Sequence, residues 1–326
     1  MNRTAVDWWS WRSKGSHSAL EKSLQAAFSD SGYPVRFERR KGGYLGYERS
    51  YSLKLGDLDA GLVATGGESQ RGWSLVSITG QGCQWIGDWD RAQEAAEDSG
   101  SYEVKRVDVA LDTFDGSSDF DQTLAAYRAG GFNLTGRPPK CEPMKPERPE
   151  DSAIIRIGNR SSAKYFQGYE KGKQLLGPVF AAAQAKDDDF ALEDFCQERI
   201  TRVVDGRLVA LPMLDWWRME LELKPQVAPL PDDVIDRRDQ YFAGAYPYLG
   251  QVLSGVDAEP LVQRRERGPQ LELALALQQI QKQYGSTLYT ALHALEGDIS
   301  ALMDRIIGTK HSRRLVEAGV LMVDHL

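Results

Sequence analysis

Two stretches of the chain alternate between apolar and polar positions with a period of two, which is typical of a strand with one buried face. They are Tyr102–Phe114 and Trp216–Lys224. In each, aliphatic or aromatic side chains occupy one face and charged side chains the other. The charged faces carry Arg106, Asp108, Asp112, Arg218, Glu220 and Glu222.

Helical periodicity, together with glycine and proline residues that mark the ends of elements, predicts the remaining helices and strands. Short strands are expected within 35–86 and at 153–158 and 164–170, and an irregular loop over 136–150, which holds five prolines. Helices are expected at 18–29, 90–98, 119–129, 232–253, 269–296 and 298–326.

These blocks predict an α+β fold with a largely antiparallel β-sheet core, flanking helices and a helical C-terminal tail. Residues 1–260 are expected to form the main domain, and residues 261–326 a C-terminal helical region. The order arginine, apolar, acid recurs at Arg106 and Arg218. Duplicated, pseudo-repeated lobes are one explanation of this recurrence.

Composition narrows the class of protein. The chain of 326 residues is 41% hydrophobic and 27% charged, which is typical of a globular protein. It lacks an apolar run long enough to span a bilayer and an N-terminal signal segment, so we expect a cytoplasmic protein. Three scattered cysteines and four dispersed histidines argue against a zinc cluster, a histidine-ligated metal and a histidine-dependent hydrolase.

The net charge is −7, but the charged residues are unevenly distributed along the chain. Residues 1–50 and 137–173 each carry nine Lys or Arg against five Asp or Glu, whereas 51–100 carry three against eight. Such segregation allows a basic, nucleic-acid-binding groove on an acidic protein, and it also describes many ordinary enzymes.

The carboxylates of the two alternating strands gather on one surface if the strands are neighbours. Crowded carboxylates are costly unless a cation neutralises them, and Mg²⁺ or Mn²⁺ prefers such oxygen ligands. Asp108 and Asp112 are four residues apart, about 13 Å along a strand, so they do not share one ion unless the strand bends. A solvated face with Arg–Glu cross-strand pairs is the alternative interpretation.

Tyrosines are the candidate nucleophiles. Tyr165 and Tyr169 share one face of the strand at 164–170, and Lys171 and Lys173 follow it. A tyrosine attacks phosphorus when a cation or metal offsets its pKa of about 10, although most of the thirteen tyrosines are expected to be structural. The chain has no G-x-x-x-x-G-K-[ST] motif, which disfavours a P-loop ATPase.

Four segments occur in order: Ile78–Cys83, Arg106–Asp112, Ile157–Gly172 and Arg218–Lys224. Together they resemble the motifs of the replication initiation factor family, the Rep_trans-type rolling-circle initiators of staphylococcal plasmids and many filamentous bacteriophages. The resemblance runs from about residue 35 to 300. Members of the family often carry an arginine just before the tyrosine, whereas this chain has Gln167 and Gly168 there.

The resemblance implies a nickase that opens one strand of origin DNA. Tyr169 would attack a phosphodiester, leaving a 5′-phosphotyrosine link and a free 3′-OH primer, and the strand would later be rejoined. Asp108 and Glu220, supported by Asp112 and Glu222, would hold Mg²⁺ or Mn²⁺. Lys171 would contact the phosphate, and Tyr165 is the rival nucleophile.

The basic clusters and the resemblance together predict the DNA contacts: Arg36, Arg39, Arg40, Lys41, Arg106, Arg160, Lys164, Lys173 and Arg218. Expected partners are double-stranded origin DNA, single-stranded DNA, and a host helicase and polymerase in a bacterial cytoplasm. A homodimer is a further expectation. Two alternatives remain: a non-enzymatic DNA-binding regulator, and a metal-dependent nuclease that uses water.

Overall fold

A computed structural model describes most of the chain. The described residues are 3–134, 137–148, 151–185, 199–204, 207–226, 228–261, 269–312 and 315–316. They form two compact units, Met1–Gln263 and Arg264–Leu326. The expected division into a main domain, 1–260, and a C-terminal helical region, 261–326, stays a prediction.

The first half of the larger unit begins with a strand and a helix and continues with four strands and two helices. Its elements are β1 (Ala5–Ser13), α1 (His17–Ala27), β2 (Val35–Arg39), β3 (Arg49–Leu55), β4 (Leu58–Thr65), β5 (Ser74–Ile78), α2 (Gly80–Cys83) and α3 (Trp89–Asp98).

The second half repeats this plan and adds a helix and a separate hairpin, β10–β11, before its last strand. Its elements are β6 (Tyr102–Thr113), α4 (Phe120–Arg128), β7 (Cys141–Met144), β8 (Ile154–Gly158), β9 (Lys164–Glu170), α5 (Lys171–Gln184), β10 (Arg199–Val204), β11 (Arg207–Pro212), β12 (Trp217–Leu223), α6 (Arg238–Ala245) and α7 (Pro247–Val252).

Ten strands form one antiparallel sheet in the order β2-β3-β4-β5-β1-β6-β12-β9-β8-β7. Read outward from the centre, the first half runs β1-β5-β4-β3-β2 and the second β6-β12-β9-β8-β7. In both, the first strand is central, a helix crosses to the far edge, and the following strands return. The two halves are therefore pseudo-repeats that meet at the β1–β6 pair, and the predicted antiparallel α+β fold is confirmed.

The recurrence of Arg106 and Arg218 does not arise from this duplication, contrary to the explanation considered from the sequence. Their strands, β6 and β12, lie side by side in the same half.

Helices α1, α3, α4, α6 and α7 pack on one face of the sheet. One buried cluster joins the apolar strand positions to helix residues such as Leu24, Phe120 and Phe242. Trp9 and Trp11 are fully buried in it. The polar positions of the strands lie on the opposite face, here called the open face. The predicted alternation of β6 and β12 therefore separates the core from the open face.

Several regions differ from the sequence expectations. The proline-rich stretch contributes the edge strand β7 where a loop was expected. The helix expected at 232–253 is broken, because Pro247 begins a new helix after Tyr246 adopts an extended conformation. Strand β1, helices α2 and α5, and the hairpin β10–β11 were not predicted.

The smaller unit is helical. It contains α8 (Pro269–Ala294) and α9 (Ile299–Ile306), which Asp298 caps by accepting a hydrogen bond from the amide of Ala301. The helix expected over 298–326 thus ends at Ile306, and much of its remaining length lies outside the described residues. Among the described residues, no helix has both the length and the apolar character to cross a bilayer.

Candidate active site on the open face

Three adjacent strands, β6, β12 and β9, place the candidate residues in register. Arg218 on β12 lies between Asp112 and Tyr169, its partners on β6 and β9. Two residues further along β12, Glu220 lies opposite Gln167, and Glu222 then lies between Asp108 and Tyr165. The carboxylates and tyrosines predicted from separate segments therefore share one polar surface.

Tyr169 and Glu220 form the central contact of this surface. The Tyr169 hydroxyl donates a 3.0 Å hydrogen bond to Glu220 Oε2, and Gln167 Nε2 donates to Glu220 Oε1, also at 3.0 Å. Among the described residues, Glu220 has no lysine or arginine within ion-pair distance. Burial, followed by the charge of Asp7, raises the pKa of Glu220, and the two hydrogen bonds oppose that rise.

Tyr169 is a neutral phenol in this arrangement. Only 5% of its surface is exposed. Burial raises its pKa far above the ordinary value, the charge of Glu220 adds to the rise, and Arg218 opposes it. The ammonium of Lys171 lies 5.6 Å from the ring centroid. Nucleophilic attack by this hydroxyl therefore requires a base. Glu220 is in position for that role, because its Oε2 already accepts the hydrogen bond from the hydroxyl.

Arg218 holds one pair of carboxylates at the end of the surface. It donates to both oxygens of Asp112, at 2.7 and 2.8 Å, and to Asp7 Oδ1 at 2.8 Å. Trp216 Nε1 also donates to Asp112, at 2.7 Å. The desolvation that lowers the pKa of Arg218 is outweighed by Asp112 and Asp7, so the net shift is upward.

Arg106 holds a second pair of carboxylates. It donates to both oxygens of Asp108, at 2.7 and 2.6 Å, and its Nη2 lies 2.9 Å from Glu222 Oε2. Lys224 contacts the other oxygen of Glu222. Asp108 is 2% exposed, and burial raises its pKa to about 7 despite Arg106, with the charges of Glu220 and Glu222 adding to the rise.

The predicted metal ligands thus fall into two groups. Asp108, Glu220 and Glu222 are close together, whereas Asp112 is bound by Arg218 and Trp216 at the other end of the surface. Within the described ranges, no three acidic, histidine or cysteine side chains are arranged around a common metal position. In this structure the guanidinium of Arg106 lies between Asp108 and Glu222.

The predicted DNA-binding residues are dispersed. Arg36, Arg40 and Lys41 are exposed, but β2 lies six strands from β12, roughly 29 Å away at the usual strand spacing. Arg39 lies over the ring of Tyr51, at 5.3 Å from its centroid. These residues form a basic edge of the sheet that is separate from Tyr169.

Nearer the site, Arg160 is exposed and lies 5.0 Å from the ring centroid of Tyr165, and Lys173 pairs with Glu170 at 3.0 Å. Arg106 and Arg218 are bound to carboxylates, so neither presents a free guanidinium. Lys164 points away from the open face: its Nζ donates to the carbonyl of Ala245, and burial lowers its pKa to about 8.

Sequence reasoning missed Asp7, Gln167, Trp216 and Lys224. For Asp7 the signal was the Val-Asp pair that it shares with Asp108. The glycine before the candidate nucleophile Tyr169 also has a structural cause. A Cβ at Gly168 would lie 2.6 Å from Cζ2 of Trp217, so the position where family members often carry arginine is filled by an indole.

A family model matches the part of the chain that carries β6 and β9. Residues 102–179, which run from β6 into the second half of α5, match the family model described as replication initiation factor. The match includes Asp108, Asp112 and Tyr169 but ends before β12. The resemblance identified from the sequence motifs is therefore confirmed over this part of the chain.

A solved structure shares the fold. It is the rolling circle replication initiator protein from Geobacillus stearothermophilus, with a TM-score of 0.51 and 16% sequence identity over 81% of this chain and 99% of that chain. No curated protein matches the chain significantly. The larger unit thus has the architecture of a rolling-circle initiator.

Proposed function

We propose that this protein initiates rolling-circle DNA replication by nicking one strand of an origin with Tyr169. The contact between the Tyr169 hydroxyl and Glu220 carries the proposal, because it pairs a neutral nucleophile with a buried carboxylate of raised pKa. Such a pair is the arrangement that base-assisted nucleophilic catalysis requires.

The reaction is a transesterification. Glu220 takes the phenolic proton as Tyr169 Oη forms a bond to the scissile phosphorus, and the bond from phosphorus to the 3′ oxygen breaks. The products are a 5′-phosphotyrosine link and a strand that ends in 3′-OH once its oxygen is protonated. Lys171, beside the Tyr169 ring, is the nearest candidate to contact the phosphate. The link conserves the phosphodiester energy, so reversal rejoins the strand.

The donor chemistry of the site fits a divalent cation in part. Asp108, Glu220 and Glu222 are hard oxygen ligands whose mutual repulsion contributes to the raised pKa of Asp108. Asp112 does not belong to this set, because Arg218 and Trp216 bind it. Mg²⁺ or Mn²⁺ held by Asp108 and Glu222 would supply positive charge beside the scissile phosphate. Glu220, whose two oxygens accept from Tyr169 and Gln167, would remain the base. Arg106 would have to release Asp108 or Glu222.

In this proposal the origin is first bound as duplex, and another protein separates the strands, since the sequence lacks a P-loop. A host helicase and polymerase in a bacterial cytoplasm belong to the same proposal, as does a homodimer.

The test incubates the protein with Mg²⁺ or Mn²⁺ and a labelled supercoiled circle that carries its own origin, followed by a denaturing protein gel. We expect label to migrate with the wild-type protein and to be lost in Tyr169→Phe, which should still bind the origin. Tyr165→Phe tests the rival nucleophile, and loss of label there instead would transfer the role to Tyr165.

Two other outcomes would replace the proposal. Cleavage without label on the protein would identify water as the nucleophile. Binding without cleavage under either metal would identify a regulator that retains the scaffold.

A further inference from the structure

The first half of the sheet contains a counterpart of the candidate active site. Arg12 on β1 lies opposite Leu75 on β5, as Asp112 lies opposite Arg218 in the second half. On the next strand outward, Ala64 lies opposite Leu75, in the position that Tyr169 holds opposite Arg218. The first half therefore has the same framework without a nucleophile.

The tryptophans of the two halves also correspond. Trp73 stands two residues before Leu75, as Trp216 stands two residues before Arg218. Trp216 donates to the carboxylate of Asp112, whereas the ring of Trp73 lies 4.3 Å from the guanidinium of Arg12 and 5.1 Å from the ammonium of Lys14. Cations thus replace the acid that the tryptophan contacts in the second half.

Positive charge in this counterpart exceeds the negative charge beside it. Glu103 pairs with Arg12 at 2.7 Å, but neither Lys14 nor Lys105 has an ion pair with another described residue. Burial lowers the pKa of Lys105, the charge of Arg12 lowers it further, and Glu103 opposes the change. Three cations around one carboxylate favour an added anion.

We propose that this cationic patch, formed by Arg12, Lys14, Trp73 and Lys105, binds the phosphates of a single DNA strand. We take this strand to be the one that continues from the phosphate at Tyr169, and this part of the proposal rests on the proposed function. Trp73 holds the two cations above its ring, so they are ordered before the strand arrives.

The position of the patch on the open face supports a single strand as its ligand. On β6, Asp112 lies opposite Arg218 and Glu103 lies opposite Arg12. The two β6 residues are nine positions apart, which is roughly 30 Å along the strand. A single strand is flexible and can follow a twisted sheet over this length with its phosphates against cations. A double helix is a stiff cylinder and does not adapt to the twist of the sheet in this way.

The test measures fluorescence anisotropy of a labelled single strand of about 20 thymidines, a length sufficient to cover both regions. The variants are Lys14→Ala, at an exposed position, and Lys14→Ala combined with Lys105→Ala. The matched control is Lys22→Ala, which removes an exposed charge from α1 on the helix-covered face. A duplex of the same length is measured in parallel.

We expect Kd for the single strand to rise at least about fivefold in the double variant. Its slope of log affinity against log salt should become shallower by about 1.4, or ~0.7 for each lost phosphate contact. Lys22→Ala should leave both quantities unchanged. An unchanged slope in the double variant would overturn the proposal, as would a larger loss of affinity for the duplex than for the single strand.

Nicking is scored separately on the origin circle. A wild-type protein that binds the single strand through the patch but does not nick would refute the proposed function and leave the patch established. A protein that nicks but shows no effect of the patch variants would refute only the patch.

Discussion

Tyr169 and Glu220 are joined by a 3.0 Å hydrogen bond that runs diagonally between neighbouring strands, because the direct partners in the ladder are Tyr169 with Arg218 and Gln167 with Glu220. The bond therefore depends on the register of β9 and β12. Gln167 fixes the second oxygen of Glu220, which leaves one oxygen directed at the phenol.

The first prediction concerns Glu220 as the base. Glu220→Gln keeps the size of the side chain and one acceptor oxygen, but its amide group donates and does not take the phenolic proton. We expect the single-turnover rate of nicking to fall about 10²-fold or more, which is typical of a lost general base, while DNA affinity is retained.

The pH dependence provides a second readout of the same variant. Because the pKa of Glu220 is raised, the wild-type rate should fall with decreasing pH at values above those expected for an ordinary glutamate. Glu220→Gln should lose this limb. A variant that retains both the rate and the acidic limb would show that Glu220 does not take the proton.

The second prediction concerns Asp108 and stability. Its pKa is raised to about 7 in the folded protein, so the folded state holds a proton that the unfolded state releases near pH 4. The free energy of unfolding should therefore decrease as pH rises from about 4 to 7, by up to ~4 kcal/mol. Asp108→Asn should remove this dependence, and exposed Asp98→Asn should preserve it.

Urea unfolding at several pH values measures this effect. Equal pH dependence in the wild type and Asp108→Asn would mean that Arg106 keeps Asp108 ionised throughout.

Much of this site was predictable from the sequence, because strand periodicity alone assigns side chains to faces. The charged faces of β6 and β12 and the apolar core opposite them follow from alternation, as does the placement of Tyr165 and Tyr169 together. The carboxylates of β6 and β12 were predicted to gather on one surface if the two strands are neighbours. The order of strands in the sheet shows that they are.

The remaining features depend on contacts between distant segments. Asp7 reaches Arg218 across more than two hundred residues, and no local pattern encodes that ion pair. Lys164 lies among polar residues in the sequence, but at the start of β9 its ammonium meets the carbonyl that ends α6. The charge pattern of the sequence therefore does not show which cations are already bound within the fold.

The third prediction concerns the metal. Mg²⁺ or Mn²⁺ should raise the melting temperature of the wild type, since an ion that binds only the folded protein adds ~2.7 kcal/mol at one hundred times its Kd. Asp108→Asn should reduce the shift and Asp98→Asn should not. EDTA should abolish nicking and spare DNA binding.

Differential scanning fluorimetry without DNA measures the shift independently of activity. A wild-type melting temperature that does not change with either ion, together with nicking in excess chelator, would remove the metal from the mechanism.

The fourth prediction separates two cations that flank β9. Arg160 is exposed beside Tyr165, so Arg160→Ala should weaken DNA binding and make the salt dependence shallower by about 0.7–0.9.

Lys164→Met should leave DNA affinity unchanged, because its ammonium already donates to the carbonyl of Ala245. It should instead lower the free energy of unfolding by about 1–3 kcal/mol, since that carbonyl loses its partner. Anisotropy titrations at several salt concentrations and urea unfolding of both variants measure these quantities. Weakened DNA binding in Lys164→Met with normal stability would return Lys164 to the DNA interface that its sequence context predicts.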